Sequence, residues 1–439
     1  MTSNPLPLPA AGCQTPEKSD RWGMVVFLAL ASAVNYADRT AMSTVLPALR
    51  SELGLSDVAL GLLGSFFLWS YAVFSPIAGV LADRLSRSAV VTFSLVAWSV
   101  VTALTGLVPG FNSLLVLRVA LGVSECLFLP AAYALIAQFH ALSTRARAMS
   151  LISIGVNGGV VIGGAAAGFL AEHWGWRASF LVFGAMGLVL AMLAKRFLPG
   201  AATIGGVGPM PARPAFHRPQ LWPALRQLLR VRTYHLLLFE AVLSGIGIWV
   251  FLSWLPLFFR DSFNMSLGEA GFAGTFMLQT CSLLGIVIGG WISDRLASRR
   301  TERRLLVFAF CYFAAAPPLL LFLAHPGFAT IAIAISLFAL FRGIGQANDK
   351  PILCEIVPEH LRATAIGLMN ACATGIGGCG VFLAGVLKGA LGLQAIFASV
   401  AVLFVIAGIA LLLAYHFTGA EDIHRARENE SASVASASS

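Results

Sequence analysis

Charged side chains interrupt several of the long apolar runs in this chain. Asp38 and Arg39 lie within the run 22–46, and Arg118 and Glu125 lie within the run 112–139. A charge near the centre of a bilayer costs at least about 2.5–3.5 kcal/mol and is usually paired or functional. A carboxylate in such surroundings can bind and release a proton, and a neighbouring guanidinium shifts that balance. We therefore predict that Asp38 and Glu125 are proton-binding groups.

The spacing of these residues predicts that they face one another. Asn35, Asp38 and Arg39 fall at helical positions i, i+3 and i+4, and Arg118 lies two turns from Glu125 on one face of its helix. An alternative is a permanent ion pair, either Asp38–Arg118 or Arg39–Glu125, with a structural role only. Arg118 is accordingly predicted to be a structural or coupling ion-pair partner.

A second set of polar residues interrupts the apolar runs of the C-terminal half. Glu240 lies in the run 233–258, and Arg342 lies 217 residues after Glu125. A guanidinium can bind a carboxylate or phosphate through two parallel hydrogen bonds, so Arg342 is predicted to hold an anionic group. Pairing of Arg342 with Glu240 or Asp349 is the structural alternative. The predicted substrate-binding residues are Arg39, Arg342, Asn35, Tyr71 and Glu240.

The composition is that of a membrane protein. Of 439 residues, 58% are apolar and 11% are charged, whereas soluble domains carry roughly 25% charged residues. This excludes a soluble enzyme, a disordered chain and a fibrous protein. The apolar runs are continuous rather than alternating, which favours membrane-spanning helices over a β-barrel. In this setting the net charge of +9 does not indicate a nucleic-acid partner.

Apolar runs divided by charged or Pro/Gly-rich breaks predict twelve membrane-spanning helices in two six-helix bundles. The predicted domains are an N-terminal tail 1–21, a bundle 22–198, a linker 199–232, a bundle 233–417 and a disordered tail 418–439. The predicted spans are 22–46, 58–82, 88–108, 112–139, 147–171, 176–198, 233–258, 268–293, 304–324, 327–349, 361–387 and 391–417.

Basic residues predict the orientation of the chain. Of the 29 Lys and Arg residues, only four fall in the loops on the side away from the termini: Arg50, Arg177, Arg260 and Lys388. Loops rich in Lys and Arg stay in the cytoplasm. Both termini are therefore expected there, with the chain in a cell membrane, the bacterial inner membrane in particular.

The two halves repeat each other. The pattern Gly79-x3-Asp83-Arg84 recurs 211 residues later as Gly290-x3-Asp294-Arg295, and Leu46-Pro47 recurs 209 residues later as Leu255-Pro256. Ordered matches of this kind predict a duplicated six-helix unit.

Two motifs identify a resemblance. The segment Gly79-Val-Leu-Ala-Asp83-Arg84-Leu-Ser-Arg87 resembles a signature of the major facilitator superfamily, and Arg118-x3-Gly122 resembles a second one. The resemblance implies two domains that rock around a central substrate site. We expect charge-assisted bonds at the repeated motifs to hold the domains together in the outward-facing state. The predicted cytoplasmic gate residues are Asp83, Arg84, Arg87, Asp294 and Arg295.

Two branches of that superfamily are similar to this chain. Asn35-Tyr36-Ala-Asp38-Arg39 and Gly122-Val-Ser-Glu125 look like the Spinster-like transporters, but the same elements occur in the anion:cation symporters. Trp174-Gly-Trp-Arg177 and Phe128-Leu-Pro130 lean toward the symporters. The fifth span lacks the Gly-Pro of the drug/proton antiporters, which weakens a multidrug interpretation.

The sequence therefore predicts a monomeric proton-coupled transporter of a small organic anion. The alternative is a Spinster-like transporter of lysophospholipids or related amphipathic lipids. An enzyme is not expected, because no nucleophile, metal set or acid–base set is clustered in the sequence. No cofactor and no metal are expected, and the partners are the substrate, protons and the lipid bilayer.

Overall fold

The computed structural model describes residues 18–199, 221–297, 301–358, 361–426 and 428. Within these residues the chain is helical and contains no strand. Its α-helices are α1 (Lys18–Leu53), α2 (Asp57–Arg84), α3 (Arg87–Thr105), α4 (Phe111–Glu125), α5 (Phe128–Phe139), α6 (Leu142–Trp174), α7 (Trp176–Phe197), α8 (Leu221–Leu228), α9 (Arg232–Phe263), α10 (Leu267–Ala297), α11 (Arg303–Leu320), α12 (Phe328–Gln346), α13 (Asp349–Ile356) and α14 (Arg362–Leu413).

Ten helical segments among the described residues are long and apolar enough to cross a membrane. The last of them, Arg362–Ala426, has 65 residues and is divided at Gly392, whose φ of 74° is outside the helical region. It is therefore long enough for two crossings, because one crossing needs about 20 residues. The 36-residue helix α1 is also long enough to cross, so the helices are compatible with the twelve spans predicted from the sequence.

Two of the predicted spans are each built from two helices. The predicted span 112–139 breaks between α4 and α5, and the predicted span 327–349 breaks between α12 and α13 and extends to Ile356. In both cases a proline, Pro130 or Pro351, is the third residue of the new helix. Proline lacks the N–H that would bond to the preceding turn, so the first helix ends before it.

The helices form two bundles. In the N-terminal bundle α1 packs against α6, α2 against α4 and α3 against α7, while in the C-terminal bundle α9 packs against α14 and α10 against α12. The bundles meet where α2 packs against α14 and α6 against α10. These are the two most extensive contacts between the bundles, and α1 also packs against α9 and α10 across the same interface.

Glycines on α6 allow close packing on two sides. A Cβ at Gly159 or Gly163 would overlap the backbone of Ala33 or Ala37 on α1. A Cβ at Gly164 would lie 2.7 Å from the carbonyl oxygen of Gly271 on α10. One face of α6 therefore packs within its own bundle and another packs across the interface between bundles, as small residues in membrane helices commonly do.

The C-terminal tail is ordered further than the sequence predicted. A short π-helical turn spans Ala414–Thr418, and the helix continues to Ala426 rather than ending in a disordered tail from 418. The carboxylate of Asp422 accepts a 2.8 Å hydrogen bond from the backbone N–H of Thr233, at the first turn of α9. It thereby satisfies an otherwise unpaired helix N-terminus. The rest of that tail, and most of the predicted linker, lie outside the described residues.

Candidate substrate and proton site

The polar residues predicted from the first and fourth spans come together in the N-terminal bundle. Asn35, Asp38 and Arg39 lie on α1, and Arg118 and Glu125 lie on α4. Four of the five are buried: Asn35 and Glu125 at 0% exposure, Asp38 at 1% and Arg118 at 2%. Two carboxylates and two guanidinium groups therefore share one region at membrane depth.

Arg39 forms an ion pair with Glu125. Its Nε donates a hydrogen bond to Glu125 Oε2. The Arg39 guanidinium carbon also lies 4.5 Å from the centre of the Tyr36 ring and 4.7 Å from that of Tyr71. Aromatic rings attract a desolvated cation. Of the two pairings open from the sequence, the described side chains form Arg39–Glu125.

Asp38 has a partner that the sequence did not indicate. The hydroxyl of Thr102 on α3 donates a hydrogen bond to Asp38 Oδ2, while Oδ1 has no hydrogen-bond partner among the described atoms. Thr102 lies in an apolar span and has no charge or motif to distinguish it. The packing of α3 alone brings it to this carboxylate.

Arg118 has hydrogen-bond donors that none of the described protein atoms accepts from. Its Nε and Nη1 are buried and have no hydrogen-bond partner among the described residues. The guanidinium carbon lies 5.0 Å from the centre of the Phe67 ring. A buried donor without a partner is costly, so these nitrogens are suited to an external acceptor.

A cavity between the two bundles reaches these arginines. Arg39 and Arg118 are both on its lining, whereas Asn35, Asp38, Tyr71 and Glu125 are not. The carboxylates thus lie behind the arginines as seen from the cavity. The other lining residues are Tyr36, Thr40, Met42, Ser43, Leu46, Leu60, Gly64, Phe67, Leu68, Val160, Trp249, Leu252, Ser253, Trp254, Gln279 and Val381.

Glu240 and Arg342, the two charged residues predicted to bind substrate from the C-terminal bundle, do not line this cavity. Glu240 is 2% exposed and Arg342 is 8% exposed. Glu240 Oε1 accepts a 2.6 Å hydrogen bond from the hydroxyl of Tyr312. Arg342 Nη1 donates to Ser282 Oγ at 3.1 Å. Arg342 therefore forms neither of the pairs considered from the sequence.

The structure describes the side chains of three of the five residues in the predicted cytoplasmic gate. The side chains of Asp83 and Arg84 lie outside the described residues. Arg87 Nη1 donates to the carbonyl oxygen of Ala134 and to Gln138 Oε1, both at 3.0 Å. These bonds join α3 to α5 within the N-terminal bundle.

Asp294 and Arg295, the C-terminal counterparts, also make contacts within their own bundle. Arg304 donates to Asp294 Oδ1 at 2.9 Å. The Arg295 guanidinium carbon lies 3.7 Å from the centre of the Trp291 ring. The first contact joins α10 to α11, and the second lies within α10.

At the face away from the basic loops, which we call the opposite face, ion pairs join the two bundles. Arg50 donates to both carboxylate oxygens of Asp261, at 2.9 and 2.7 Å. Lys388 lies 2.6 Å from Asp57 and 3.8 Å from Asp261. These pairings were not predicted from the sequence, because the paired residues are far apart in the chain and no motif links them.

A hydrogen bond between a side chain and the backbone also joins the two bundles at the opposite face. Glu172, near the end of α6, accepts a 2.8 Å hydrogen bond from the backbone N–H of Leu267 at the start of α10. A carboxylate at a helix N-terminus is favoured by the helix dipole. A residue of one bundle thus caps a helix of the other.

Known proteins resemble this chain along most of its length. It is 27% identical to the hexuronate transporter of Bacillus subtilis (strain 168) over 375 residues, which is 83% of this chain and 87% of that protein. It is 28% identical to an MFS-type efflux pump of Mycolicibacterium smegmatis over 382 residues, 84% of this chain and 85% of that protein.

A plant relative matches over a shorter stretch. The probable anion transporter 4, chloroplastic, of Oryza sativa subsp. japonica is 27% identical over 300 residues, 64% of this chain. The match covers 48% of that protein, so the chain spans about half of its length.

The fold is shared with a solved transporter. The crystal structure of a bacterial homolog of the human lysosomal transporter Spinster, in an inward-facing and occupied conformation, superposes with a TM-score of 0.75 at 22% identity. The superposition covers 93% of this chain and 99% of that one. At this identity the likeness establishes the fold.

A sequence model of a protein family matches this chain from residue 28 to residue 438. Residues 28–301 and 241–438 match the model described as Major Facilitator Superfamily. Together with the helical fold and the cavity between two bundles, this match shows that the chain belongs to the Major Facilitator Superfamily and is a multi-pass membrane transporter.

Proposed function

We propose that this transporter moves a small organic anion of the sugar-acid class together with protons, by alternating access. The observation that carries the proposal is the position of Arg39 and Arg118 on the cavity lining, with Asp38 and Glu125 directly behind them. The name of the Bacillus subtilis relative, a hexuronate transporter, supports the same substrate class.

Arg118 is the proposed ligand of the substrate carboxylate. Two of its nitrogens are buried and have no protein acceptor among the described residues. A guanidinium binds a carboxylate through two parallel N–H donors. Hydroxyl and amide groups of Thr40, Ser43 and Gln279 line the same cavity and suit the hydroxyl groups of a sugar acid.

Proton binding and anion binding would favour each other at Arg39. When Glu125 takes up a proton it loses the negative charge that holds Arg39. The guanidinium is then available to the substrate anion. By thermodynamic linkage, a bound anion that draws Arg39 away also makes Glu125 easier to protonate. Asp38, which lies beside the pair and is bonded to Thr102, is the second proposed proton carrier.

The contacts at the opposite face support the assignment of a conformational state. With the basic loops in the cytoplasm, the pairs Arg50–Asp261 and Lys388–Asp57 would close the outer side of the cavity. The structure then represents the inward-facing state. Transport in either direction requires these pairs to break once in every cycle.

Calorimetry on purified protein in nanodiscs tests the substrate class. The parent should bind glucuronate or galacturonate and not the corresponding neutral sugars, because the arginines need an anion. Arg118→Lys keeps the charge but loses the planar donor pair, so its affinity should fall by at least about tenfold, or 1.4 kcal/mol. The matched control is Arg304→Lys, because Arg304 does not line the cavity and pairs with Asp294.

Several outcomes of that measurement would reject the proposal. Parent-like affinity in Arg118→Lys removes the role of Arg118. Binding of lysophosphatidylcholine without binding of any sugar acid favours the Spinster-like alternative. Preferential binding of organic cations contradicts an anion-selective cavity.

A further inference from the structure

We infer that Glu240 is an additional proton-binding site, located inside the C-terminal bundle and separate from the substrate cavity. The proposed function places both coupling protons in the N-terminal bundle, at Asp38 and Glu125. The inference therefore goes beyond it and does not depend on the identity of the substrate.

The surroundings of Glu240 favour an uncharged carboxyl group. Its side chain is 2% exposed, and its described hydrogen bond comes from the neutral phenol of Tyr312, at 2.6 Å. The same phenol oxygen lies 3.0 Å from the hydroxyl of Ser244, one turn along α9. A buried carboxylate with only neutral donors is far less stable than one with a cationic partner.

Two charged residues face Glu240 from the neighbouring helices. Asp349, at the start of α13, repels an ionised Glu240, and Arg342 on α12 attracts it. The attraction is not realised as an ion pair, because Arg342 donates to Ser282 on α10 at 3.1 Å instead. On the α14 side, the ring of Phe404 packs against the ring of Tyr312, and the two ring centres are 4.7 Å apart. This arrangement suits a carboxyl group that carries a proton in the present state.

Loss of the proton would change the partner of Arg342. An ionised Glu240 would draw the guanidinium from Ser282 toward itself, because two opposite charges in a poorly screened interior attract strongly. The bond between α12 and α10 would then break. Since α10 packs against α6 of the other bundle, the proton on Glu240 is placed to influence the contact between the two bundles.

Difference infrared spectroscopy on the parent in nanodiscs tests the proton directly. The C=O stretch of a protonated carboxylic acid is separated from the bands of carboxylates. Subtracting the spectrum of Glu240→Gln from that of the parent should reveal one protonated carboxyl band that disappears as the buffer is made alkaline. Tyr312→Phe should keep this band but shift its frequency, because the hydrogen bond to the phenol is lost.

The matched control is Glu172→Gln, which removes a carboxyl group of the N-terminal bundle that accepts from the N-terminus of α10; its difference spectrum should lack the band assigned to Glu240. If Glu240→Gln does not fold, Glu240→Asp serves instead, because its acid band should be displaced from that of the parent. Spectra of parent and variant that match in the protonated region overturn the inference. The infrared spectra are recorded without substrate. A negative result would therefore overturn the inference about Glu240 without changing the outcome of the sugar-acid binding measurement.

Discussion

Arg50 and Asp261 join the two bundles through two parallel hydrogen bonds, of 2.9 and 2.7 Å. Arg50 lies near the end of α1 and Asp261 near the end of α9, the first helices of the two repeats. In these two helices the repeat is offset by 209 residues, as in Leu46-Pro47 and Leu255-Pro256, so Asp261 corresponds to Glu52 and Arg50 corresponds to Phe259. The pair therefore joins two positions of the repeat that do not correspond, and it holds the two bundles together at the opposite face.

Reversing the charge of Arg50 should shift the protein away from the state closed at the opposite face. Both side chains of the pair are about one-third exposed, and exposed pairs contribute roughly 0.2–1 kcal/mol. We expect Arg50→Asp to lower the closed population by about two- to fivefold. The double variant Arg50→Asp with Asp261→Arg should restore it. Spin-label distances across the opposite face measure the populations.

A pair within one bundle provides the control for that measurement. Glu52 accepts from Arg177 and from the indole of Trp176, all in the N-terminal bundle. Glu52→Gln should leave the distance distribution unchanged. An equal shift in Glu52→Gln, or a failure of the double variant to recover, would argue that Arg50 acts on the fold rather than on closure.

The carboxylates Asp38 and Glu125 should be required for proton-driven accumulation. Asp38→Asn and Glu125→Gln cannot release a proton, so each should reduce uptake driven by a pH jump in proteoliposomes to the equilibrium level. Exchange of labelled for unlabelled substrate should survive, because it needs no net proton movement. Accumulation like that of the parent in both variants would remove the coupling role.

A side chain at Gly164 should open the interface between bundles at the opposite face. The new Cβ would lie 2.7 Å from the carbonyl oxygen of Gly271 and 3.1 Å from Thr275 Oγ1. Overpacking costs roughly 1–3 kcal/mol, so Gly164→Ala should lower the closed population by at least about fivefold. Gly158→Ala on the same helix is the control, because a Cβ there meets nothing within 4 Å. Equal effects of the two variants would contradict this interpretation.

Tyr71 should act on substrate through Arg39. Its ring centre lies 4.7 Å from the guanidinium carbon, and it does not line the cavity. A desolvated cation–π contact contributes roughly 0.5–2 kcal/mol. Tyr71→Leu should therefore weaken sugar-acid binding by about two- to thirtyfold, while Tyr71→Phe retains the ring and the affinity. If Tyr71→Phe binds as weakly as Tyr71→Leu in calorimetry, the hydroxyl itself is needed.

Features that depend on composition or on local spacing could be predicted from the sequence. The apolar runs predicted an all-helical membrane protein, because a bilayer imposes one requirement of length and apolarity on every crossing helix. The helical period placed Asn35, Asp38 and Arg39 on one stripe, and the two signature motifs indicated the superfamily. These predictions succeeded because each uses residues that are close in the chain or constrained by the membrane.

The choice of partners was decided by the tertiary structure. Asp38 and Arg39 are adjacent in sequence, yet Arg39 binds Glu125 on α4 and Asp38 binds Thr102 on α3. Glu240 binds Tyr312, and Arg342 binds Ser282. Each of these contacts joins two different helices. Whether a side chain reaches a neighbour or the cavity depends on the rotation of its helix about its own axis and on its depth against the next helix. The periodicity of one helix contains neither quantity, so only the packed bundles determine them.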